Sequence, residues 1–429
     1  MALRLTQSMS DPINLRPEVL ERYIENYTGL NRILRLQYIG KRFEQVTPAA
    51  FNLALQFLVA ETKNVYLYEE IVRQMPPGSQ TLRNSEEWLA KSKSENTELL
   101  HRLDQEQRTL SANFMHRELG ALYAQLADCY WEAGDLVLAQ RYLDKQRSHD
   151  QALFSSLDFT ARIAECNFLQ ESWSLCRTVA AKKFSEKEES AINGRLGVFS
   201  ALCYLRDHMY EDCVSTLLKV ILPSAEEKDE EDDDDMNSDT ISPALIGLST
   251  ESDLAMYITV CALATFPRND LKYLVDKDPV FRQLCESSEN SLYLSQLLNS
   301  FLDLEYRRFF KLWDEHHNSF VLDMYLGPVF QQLETKIFQR AYTDYLTPIS
   351  LLNLSKMETV FGRSIAKELP EVIRANQLDF RLDLDQDAII HVRPDRATEV
   401  FTRAENIAER YIINSKALLW SSQSLQCAE

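Results

Sequence analysis

Histidine offers the most direct route to metal binding or acid–base chemistry, and its spacing in this chain favours neither. The seven histidines are His101, His116, His149, His208, His316, His317 and His391. No two of them form His-x-His or His-Glu-x2-His, the common patterns by which one element presents two imidazoles to zinc. His316 and His317 are adjacent, but neighbours on a helix point about 100° apart and grip one ion poorly. We therefore expect no metal and no other cofactor.

Glycine spacing argues against phosphate-binding loops and against a serine-hydrolase turn. No two of the ten glycines lie two, four or five residues apart, so Gly-x-Gly, Gly-x-Ser-x-Gly and Gly-x4-Gly-Lys are all missing. Carboxylate pairs are too frequent to single out a catalytic pair, and a solvated acidic surface is their default explanation. We predict that the protein is not an enzyme. The alternative is an active site whose geometry none of these patterns describes.

The spacing of the cysteines and the length of the apolar segments indicate the cellular compartment of the protein. The eight cysteines are Cys129, Cys166, Cys176, Cys203, Cys213, Cys261, Cys285 and Cys427. They form no Cys-x2-Cys pair and most lie in apolar helical patterns, as buried free thiols do. The sequence shows no secretion signal and no stretch of about 18 apolar residues that could span a membrane. We expect a cytoplasmic and nuclear protein that does not bind membranes.

The formal net charge is −19, and it is unevenly distributed. Residues 226–239 (EEKDEEDDDDMNSD) contain ten acidic residues and one lysine, a net charge of −9. A segment with this charge and so few apolar residues cannot offset the entropy lost on ordering. We predict a disordered, solvated loop at 223–243, with an acidic protein-binding segment as the alternative. The overall charge also opposes binding to a nucleic acid.

Composition and periodicity predict a mostly α-helical protein. Glycine and proline together make only 23 of 429 residues, which leaves few tight turns for a many-stranded fold. Apolar residues recur at helical spacing from 17 to 75, and residues 85–113 predict one long exposed helix. The predicted divisions are an N-terminal helical segment (1–78), a long helix plus repeats (79–222), the acidic loop (223–243), a helical continuation (244–345), a winged helix (346–394) and a C-terminal helix and tail (395–429).

Four sets of positions repeat every 37 residues. They are Ala127, Ala164 and Ala201; Trp131, Phe168 and Leu205; Leu136, Trp173 and Tyr210; and Ala139, Cys176 and Cys213. Small residues recur where two helices must approach closely, and large residues recur between them. We therefore predict a solenoid of tetratricopeptide-like helical hairpins. Three unrelated helix pairs are the alternative.

The segment after Tyr345 predicts a winged helix. Residues 350–361 and 364–376 are each predicted to form a helix, with Gly362 ending the first and Ser364 capping the second. Alternating apolar residues then predict a two-stranded ribbon up to Pro394. A ribbon edge can pair with another chain, so we predict a subunit interface at the ribbon. Its residues are Phe380, Leu382, Leu384, Ile389, Ile390 and Val392.

Nucleic-acid binding by this winged helix is disfavoured by its charge. The second helix carries Lys367 and Arg374 against Glu368 and Glu371, and the following DFRLDLDQD is acidic. Because a helix that reads a DNA groove must neutralise phosphates, we expect protein binding and no direct DNA binding. A DNA-binding winged helix remains the alternative.

The C-terminal helix carries an apolar stripe that we call the seam. Its residues follow a spacing of four and three and are Val400, Ala404, Ile407, Tyr411, Asn414 and Leu418. Such a stripe packs in a helical bundle. A helix folded back on its own domain would explain the pattern equally well.

This order of parts resembles the PCI family, whose members occur in the proteasome lid, the COP-nine signalosome and an initiation factor. The segment 342–395 is similar to the family's winged helix, notably YLTP at 345–348, FG at 361–362 and RPD at 393–395. YTGLNRILRLQYI at 27–39 resembles the Tyr-Ser-Gly-x2-Arg-x2-Arg-Leu-x-Phe-Ile segment of signalosome subunit one, and NVYLYEE at 64–70 is similar to its following helix. The corresponding proteasome lid subunit is the alternative.

The resemblance implies a noncatalytic scaffold subunit of the complex that removes a ubiquitin-like modifier from cullins. That complex regulates cullin-RING ubiquitin ligases, and its zinc lies in a separate metalloprotease subunit. By the same resemblance, the winged helix contacts neighbouring PCI subunits, namely signalosome subunits two and three, and the C-terminal helix joins a bundle. The N-terminal helices and repeats would form an arm that holds other subunits or the ligases themselves.

Overall fold

The structure of this protein is a computed structural model, and helices account for most of it. It describes residues 17–43, 45–76, 85–150, 153, 156–184, 191–221, 248–286, 291–376, 378–383, 387–391 and 396–426. The predicted acidic loop at 223–243 lies outside the described residues. The chain divides into two compact units, residues 1–338 and 339–429. Within the described ranges, no helix is long and apolar enough to cross a membrane.

Four amphipathic helices form the N-terminal part of the first unit. They are α1 (Pro17–Glu25), α2 (Gly29–Arg42), α3 (Thr47–Glu61) and α4 (Val65–Gln74). Their apolar sides share one core, in which Ile33, Phe51 and Ile71 are almost fully buried. The predicted helical periodicity is confirmed, and this shared burial stabilises helices that are too short to persist alone.

A long helix and three helical hairpins follow. They are α5 (Ser85–Ala112), then α6 (His116–Ala133) with α7 (Leu136–His149), α8 (Leu157–Leu169) with α9 (Trp173–Lys183), and α10 (Ala191–Arg206) with α11 (Tyr210–Ile221). The predicted long exposed helix is confirmed as α5. The three hairpins begin their second helices at Leu136, Trp173 and Tyr210, which are 37 residues apart as predicted.

All three hairpins turn in the same way. The turn residue has a positive φ in each, 94° at Gly134, 57° at Glu171 and 62° at His208. The amide of the next residue donates to a carbonyl five residues earlier, at 2.9 Å in every case. This is the Schellman arrangement, which satisfies helix-end carbonyls and reverses the chain within a few residues. A shared turn at a constant spacing confirms a repeat, so the alternative of three unrelated helix pairs is wrong.

Cysteine pairs lie between successive hairpins. Cys176 of α9 contacts Cys203 of α10, and the hydrogen bond between their thiols, together with burial, raises the pKa of Cys203. Cys213 of α11 contacts Cys261, whose pKa is raised by burial and by that contact. All four thiols are fully buried and free, as the sequence pattern predicts. Such thiols pack as small apolar groups and are protected from chemistry.

Six further helices complete the first unit and lead into the second. They are α12 (Glu251–Thr265), α13 (Arg268–Asp276), α14 (Pro279–Glu286), α15 (Leu292–Leu302), α16 (Tyr306–Leu322) and α17 (Gly327–Leu346). Thr250 and Asp253 form a capping box at the start of α12, with Thr250 Oγ1 accepting from the Asp253 amide at 3.2 Å. Pro267, Pro279 and Pro328 lie at helix starts, where a missing amide hydrogen costs nothing.

The second unit contains a small sheet and three further helices. The elements are β1 (Leu351–Asn353), α18 (Leu354–Phe361), α19 (Leu369–Ala375), β2 (Phe380–Asp383), β3 (Ala388–His391) and α20 (Arg396–Gln426). The sheet is antiparallel in the order β1-β3-β2, with Leu351 opposite Ile390 and Phe380 opposite His391. The mostly α fold with a helical-repeat part and a winged helix is confirmed.

Two local predictions in this unit are wrong. Residues 351–353 form a third strand instead of the first turn of a helix, because their backbone pairs with β3. The second helix begins at Leu369 and not at Ser364: the Glu358 carboxylate accepts the Ser364 hydroxyl and the Ile365 amide, each at 2.9 Å. A helix running from Ser364 would also place Pro370 in its second turn, where proline lacks the required donor. Gly362 ends α18 at φ 71° as predicted.

Candidate subunit interface

The C-terminal helix α20 exposes the seam that the sequence predicts. The helix forms over 31 residues because no glycine or proline interrupts it. Val400, Ile407, Tyr411 and Leu418 are 62% to 73% exposed, and Ala404 and Asn414 are exposed as well. No described residue between 400 and 420 is buried, so the alternative of a helix folded back on its own domain is not observed.

A second apolar stripe on α20 was missed by the sequence analysis. Phe401, Ile412 and Leu419 each directly follow a seam residue and are 51% to 78% exposed. Because consecutive helical residues point about 100° apart, these three side chains form a separate stripe beside the seam. Ile413 and Trp420 continue round the helix and are 64% and 77% exposed. A helical wheel drawn from the sequence places Phe401, Ile412 and Leu419 on one side of the helix. They fall outside the four-and-three spacing that defines the seam.

The exposed apolar residues of α20 lie close together on several sides of one helix. Single exposed apolar residues are common on protein surfaces and need no explanation, but a group of this size does. A helix that is apolar on several sides is typical of a buried position, with neighbours on more than one side. Full burial of one such side chain contributes about 1.5–3 kcal/mol. Among the α20 residues whose side chains the structure describes, nine large apolar ones are exposed, and they offer the driving force for packing against other helices.

The six residues predicted at the ribbon interface do not share one surface. Ile389 is buried, and Phe380 and Leu382 lie half-buried on the same side of the sheet. Ile390 points to the opposite side, where it is exposed beside Leu351 of the neighbouring strand. The first three side chains thus face inward, whereas Ile390 and Leu351 form a small exposed apolar pair. Leu384 and Val392 lie outside the described residues.

The strand order changes which edge can meet another chain. β3 pairs on both sides, so its backbone is satisfied inside the sheet. The edges are β2, which was predicted, and β1, which was not. A partner strand would therefore add beside residues 351–353 or 380–383. The subunit-interface role of the six residues and of the seam stays a prediction.

Charged residues next to α19, the helix that would enter a DNA groove, interact with other residues of the chain. Arg363 donates to Glu368 Oε1 at 3.1 Å, and the Tyr342 hydroxyl donates to Glu368 Oε2 at 2.9 Å. The backbone amide of Ile365 and the Ser364 hydroxyl hold the pKa of the nearby Glu358 below its usual range. This surface has no excess of positive charge for phosphates, in line with the predicted absence of direct DNA binding, which stays a prediction.

The adjacent histidines face different neighbours. The ring of His316 stacks on Tyr293 with ring centroids 3.6 Å apart, and burial lowers its pKa. His317 Nε2 lies 3.7 Å from Glu334, which also accepts from the Trp313 indole at 3.0 Å. Across the described ranges, no cluster of three or more His, Cys, Asp or Glu residues could hold a metal.

The chain is similar to a known protein family over the long helix and the repeats, and to individual proteins over most of its length. Residues 85–274 match the family described as 26S proteasome subunit RPN7, a range that starts with α5 and ends within α13. The chain is 23% identical over 96% of its length to COP9 signalosome complex subunit 1 of Schizosaccharomyces pombe, covering 92% of that protein. It is 23% identical to subunit 1b of Drosophila melanogaster, of which it covers 60%.

A shorter match leads to the proteasome. The chain is 31% identical over 143 residues to 26S proteasome non-ATPase regulatory subunit 6 of Caenorhabditis elegans, covering 35% of that protein. The matches to signalosome subunit 1 span most of the chain, whereas this one covers 32% of it. The predicted resemblance to signalosome subunit one within the PCI family is confirmed.

Proposed function

We propose that this protein, a PCI-family relative of signalosome subunit one, is a noncatalytic scaffold subunit of a signalosome. The observation that carries the proposal is α20, whose large apolar side chains are exposed on several sides. Exposure of these apolar side chains to water is unfavourable, and packing against other helices would remove them from water. The extended similarity to subunit 1 proteins supports the identity of the complex.

The proposed activity of the complex is removal of a ubiquitin-like modifier from cullins, which regulates cullin-RING ubiquitin ligases. The metalloprotease chemistry would reside in another subunit, and this chain would bind its neighbours. We propose signalosome subunits two and three as those neighbours, with α20 in a shared helical bundle and the sheet edges beside another winged helix. We further propose that the protein works in the cytoplasm and the nucleus, because its described cysteines are free thiols, as in proteins of reducing compartments.

A role in the proteasome lid is the second candidate. The family match at 85–274 carries the description of a proteasome subunit, and the chain is 31% identical to regulatory subunit 6 over 143 residues. The two candidates share the same use of α20. They differ only in which subunits surround it.

Purification of the tagged protein from its source separates the two candidates. We expect other signalosome subunits and cullin-deconjugating activity to co-purify, with identification by mass spectrometry. Recovery of proteasomal ATPases in their place would assign the chain to the lid.

A substitution in the seam tests the role of α20 in either complex. Ile407→Asp places a charge in the apolar seam, and we expect at least a 30-fold loss of complex recovered, equivalent to about 2 kcal/mol at an interface hot spot. Asn406→Asp adds the same charge at the adjacent position, about 100° from Ile407 and on the side of Ile413, so it should reduce the recovered complex much less than Ile407→Asp does. An Ile407→Asp chain that elutes in a complex of unchanged size would contradict the proposal.

A further inference from the structure

One arginine in the first unit is completely buried and ionic. Arg35 lies on α2 with no exposed surface, and it bridges two aspartates. Its Nη2 donates to Asp253 Oδ2 at 2.9 Å and its Nη1 to Asp323 Oδ2 at 2.7 Å. The aspartates are 218 and 288 residues further along the chain. Arg35 therefore joins the N-terminal helices to the start of α12 and to the corner between α16 and α17.

Tyrosines from the N-terminal segment and from α12 surround the ion pairs. The hydroxyl of Tyr27 donates to Asp253 Oδ1 at 2.9 Å, and that of Tyr257 donates to Asp323 Oδ2 at 2.9 Å. The hydroxyl of Tyr23 accepts from Arg35 Nη1 at 2.8 Å. The guanidinium also lies 4.0 Å from the centre of the Tyr27 ring. These contacts replace the water that the three charges lose on burial.

Both aspartates also hold the backbone of their own segments. Asp323 Oδ1 accepts from the amides of Tyr325 and Leu326 at 2.9 and 2.7 Å, immediately before α17. Asp253 Oδ2 accepts from the Thr250 amide at 3.1 Å in the capping box of α12. A substitution of Arg35 would therefore directly affect two chain segments far from α2.

The charges in the cluster do not balance, because two carboxylates share one guanidinium. Burial, and then the charge of Asp323, raises the pKa of Asp253. The surrounding tyrosines and carboxylates hold the pKa of Arg35 well above its ordinary value, against the opposing effect of burial. Arg35 is thus the charge on which the cluster depends, since its loss would leave two buried carboxylates without a cation.

We propose that Arg35, Asp253 and Asp323 form a latch that holds the N-terminal helices α1–α4 on the remainder of the first unit. The covalent connection between α4 and α5 runs through residues 75–84 only. Other contacts accompany the latch, including Asn31 Nδ2 to the Leu248 carbonyl at 2.6 Å. The latch differs from them because it ties three segments together at once, so that α1–α4 and the α16–α17 corner stay in place together.

Arg35 of the latch and its neighbour Tyr27 both belong to the N-terminal segment at 27–39. Tyr27 and Arg35 are the first tyrosine and the second arginine of YTGLNRILRLQYI. Their residue types have a physical reason: the guanidinium reaches two carboxylates, and the tyrosine offers both a ring and a hydroxyl. The segment is therefore a contact element for distant parts of the chain and not only an amphipathic helix.

Cleavage between α4 and α5 tests the latch in the full-length protein. A protease recognition site inserted between residues 78 and 82 would cut the folded chain into an N-terminal fragment and the remainder. We expect the wild-type fragments to stay together on gel filtration. With Arg35→Met, the dissociation constant of the fragments should rise at least about 100-fold, because two buried carboxylates lose their partner.

Two variants control for general destabilisation. Arg32→Met removes a cation from the same helix, but among the described residues Arg32 pairs with Glu61 at 3.5 Å and lies over the Phe57 ring, both within the N-terminal fragment. It should leave the fragments associated. Arg35→Lys keeps the charge but cannot reach both carboxylates in the same way, so a rise of about tenfold is expected.

Hydrogen exchange gives a readout at a distance from the substitution. In uncleaved Arg35→Met, the amides of Tyr325 and Leu326 should exchange faster, while amides inside α3 should not. Fragment association equal to wild type in Arg35→Met, or equal loss of association in Arg32→Met, would overturn the latch. Should Arg35→Met yield no soluble chain, the Arg35→Lys result decides in the same way. None of these measurements needs a partner subunit, so their outcome is independent of the proposed signalosome role.

Discussion

Helices α12 and α20 carry apolar residues on several sides, yet they have opposite environments. Every residue of α12 from Asp253 to Leu263 is buried, and its neighbours all come from this chain. No described residue of α20 between 400 and 420 is buried. The difference teaches that the described chain supplies neighbours for α12 and buries no residue of α20 between 400 and 420. Burial of α12 contributes to folding, and the exposed α20 is the surface that we propose for assembly.

The largest effect that the comparison predicts is on folding through α12. Ile258→Asp would place an unpaired charge at a fully buried position, and we expect a loss of about 4 kcal/mol or more in the free energy of unfolding. Thermal denaturation of the isolated chain measures it. Ile407→Asp in α20 is the matched control and should change that free energy by less than about 0.5 kcal/mol. Comparable losses in the two variants would mean that α20 is buried within the isolated chain.

A smaller effect is expected from the second apolar stripe of α20, and it would show how many sides of this helix are covered in the complex. If the second stripe also contacts a neighbour, Ile412→Asp should reduce recovery of the complex about tenfold or more, as a substitution at a second interface position. Asn406→Asp again serves as the control, and quantitative pull-down measures both. Normal assembly of Ile412→Asp would restrict the contact to the seam and leave α20 with one covered side, unlike α12.

The smallest expected effect concerns how α12 joins the repeats. The connections from α7 to α8 and from α9 to α10 have 7 residues each, whereas that from α11 to α12 has 29. Cys203 and Cys261, which make equivalent thiol contacts, lie 58 residues apart, or one 37-residue repeat plus 21. The predicted loop 223–243 has 21 residues, so α12 occupies the next repeat position after an insertion of that length.

Deletion of residues 223–243 should therefore leave the chain folded, with a free energy of unfolding within about 1 kcal/mol of wild type. The shortened connection would be about as long as those between the other hairpins, and closing a shorter loop costs little. A Gly/Ser segment of 21 residues at the same place controls for composition. A collapse of the thermal transition after the deletion alone would show that α12 does not follow the repeat register.

Periodic features were predictable from the sequence, and features set by distant contacts were not. The 37-residue repeat, α5 and the end of α18 at Gly362 follow from residue spacing, since helix faces and turns are local properties. The third strand β1 was missed because its pairing partners lie 35 to 39 residues away along the chain. The start of α19 was wrong because Glu358 holds the preceding amides.

The interface residues show the same division. The seam of α20 was predicted residue by residue, because a continuous helix fixes which side chains share a side. Phe380, Leu382, Ile389 and Ile390 were correctly placed on strands, but alternation alone could not tell which side of the sheet the last two face. The Arg35 latch left no signal in the sequence beyond its residue types, because its acids lie hundreds of residues away.

The sequence by itself determined the helical repeats, the acidic segment and the apolar seam of α20, because periodicity and charge act over a few neighbouring residues. Only the tertiary structure decided that α12 is enclosed and α20 exposed, and that one buried arginine links three remote segments. Burial depends on which parts of the chain come together in space, and a charge without water is stable only where that meeting supplies partners. No window of sequence contains that information.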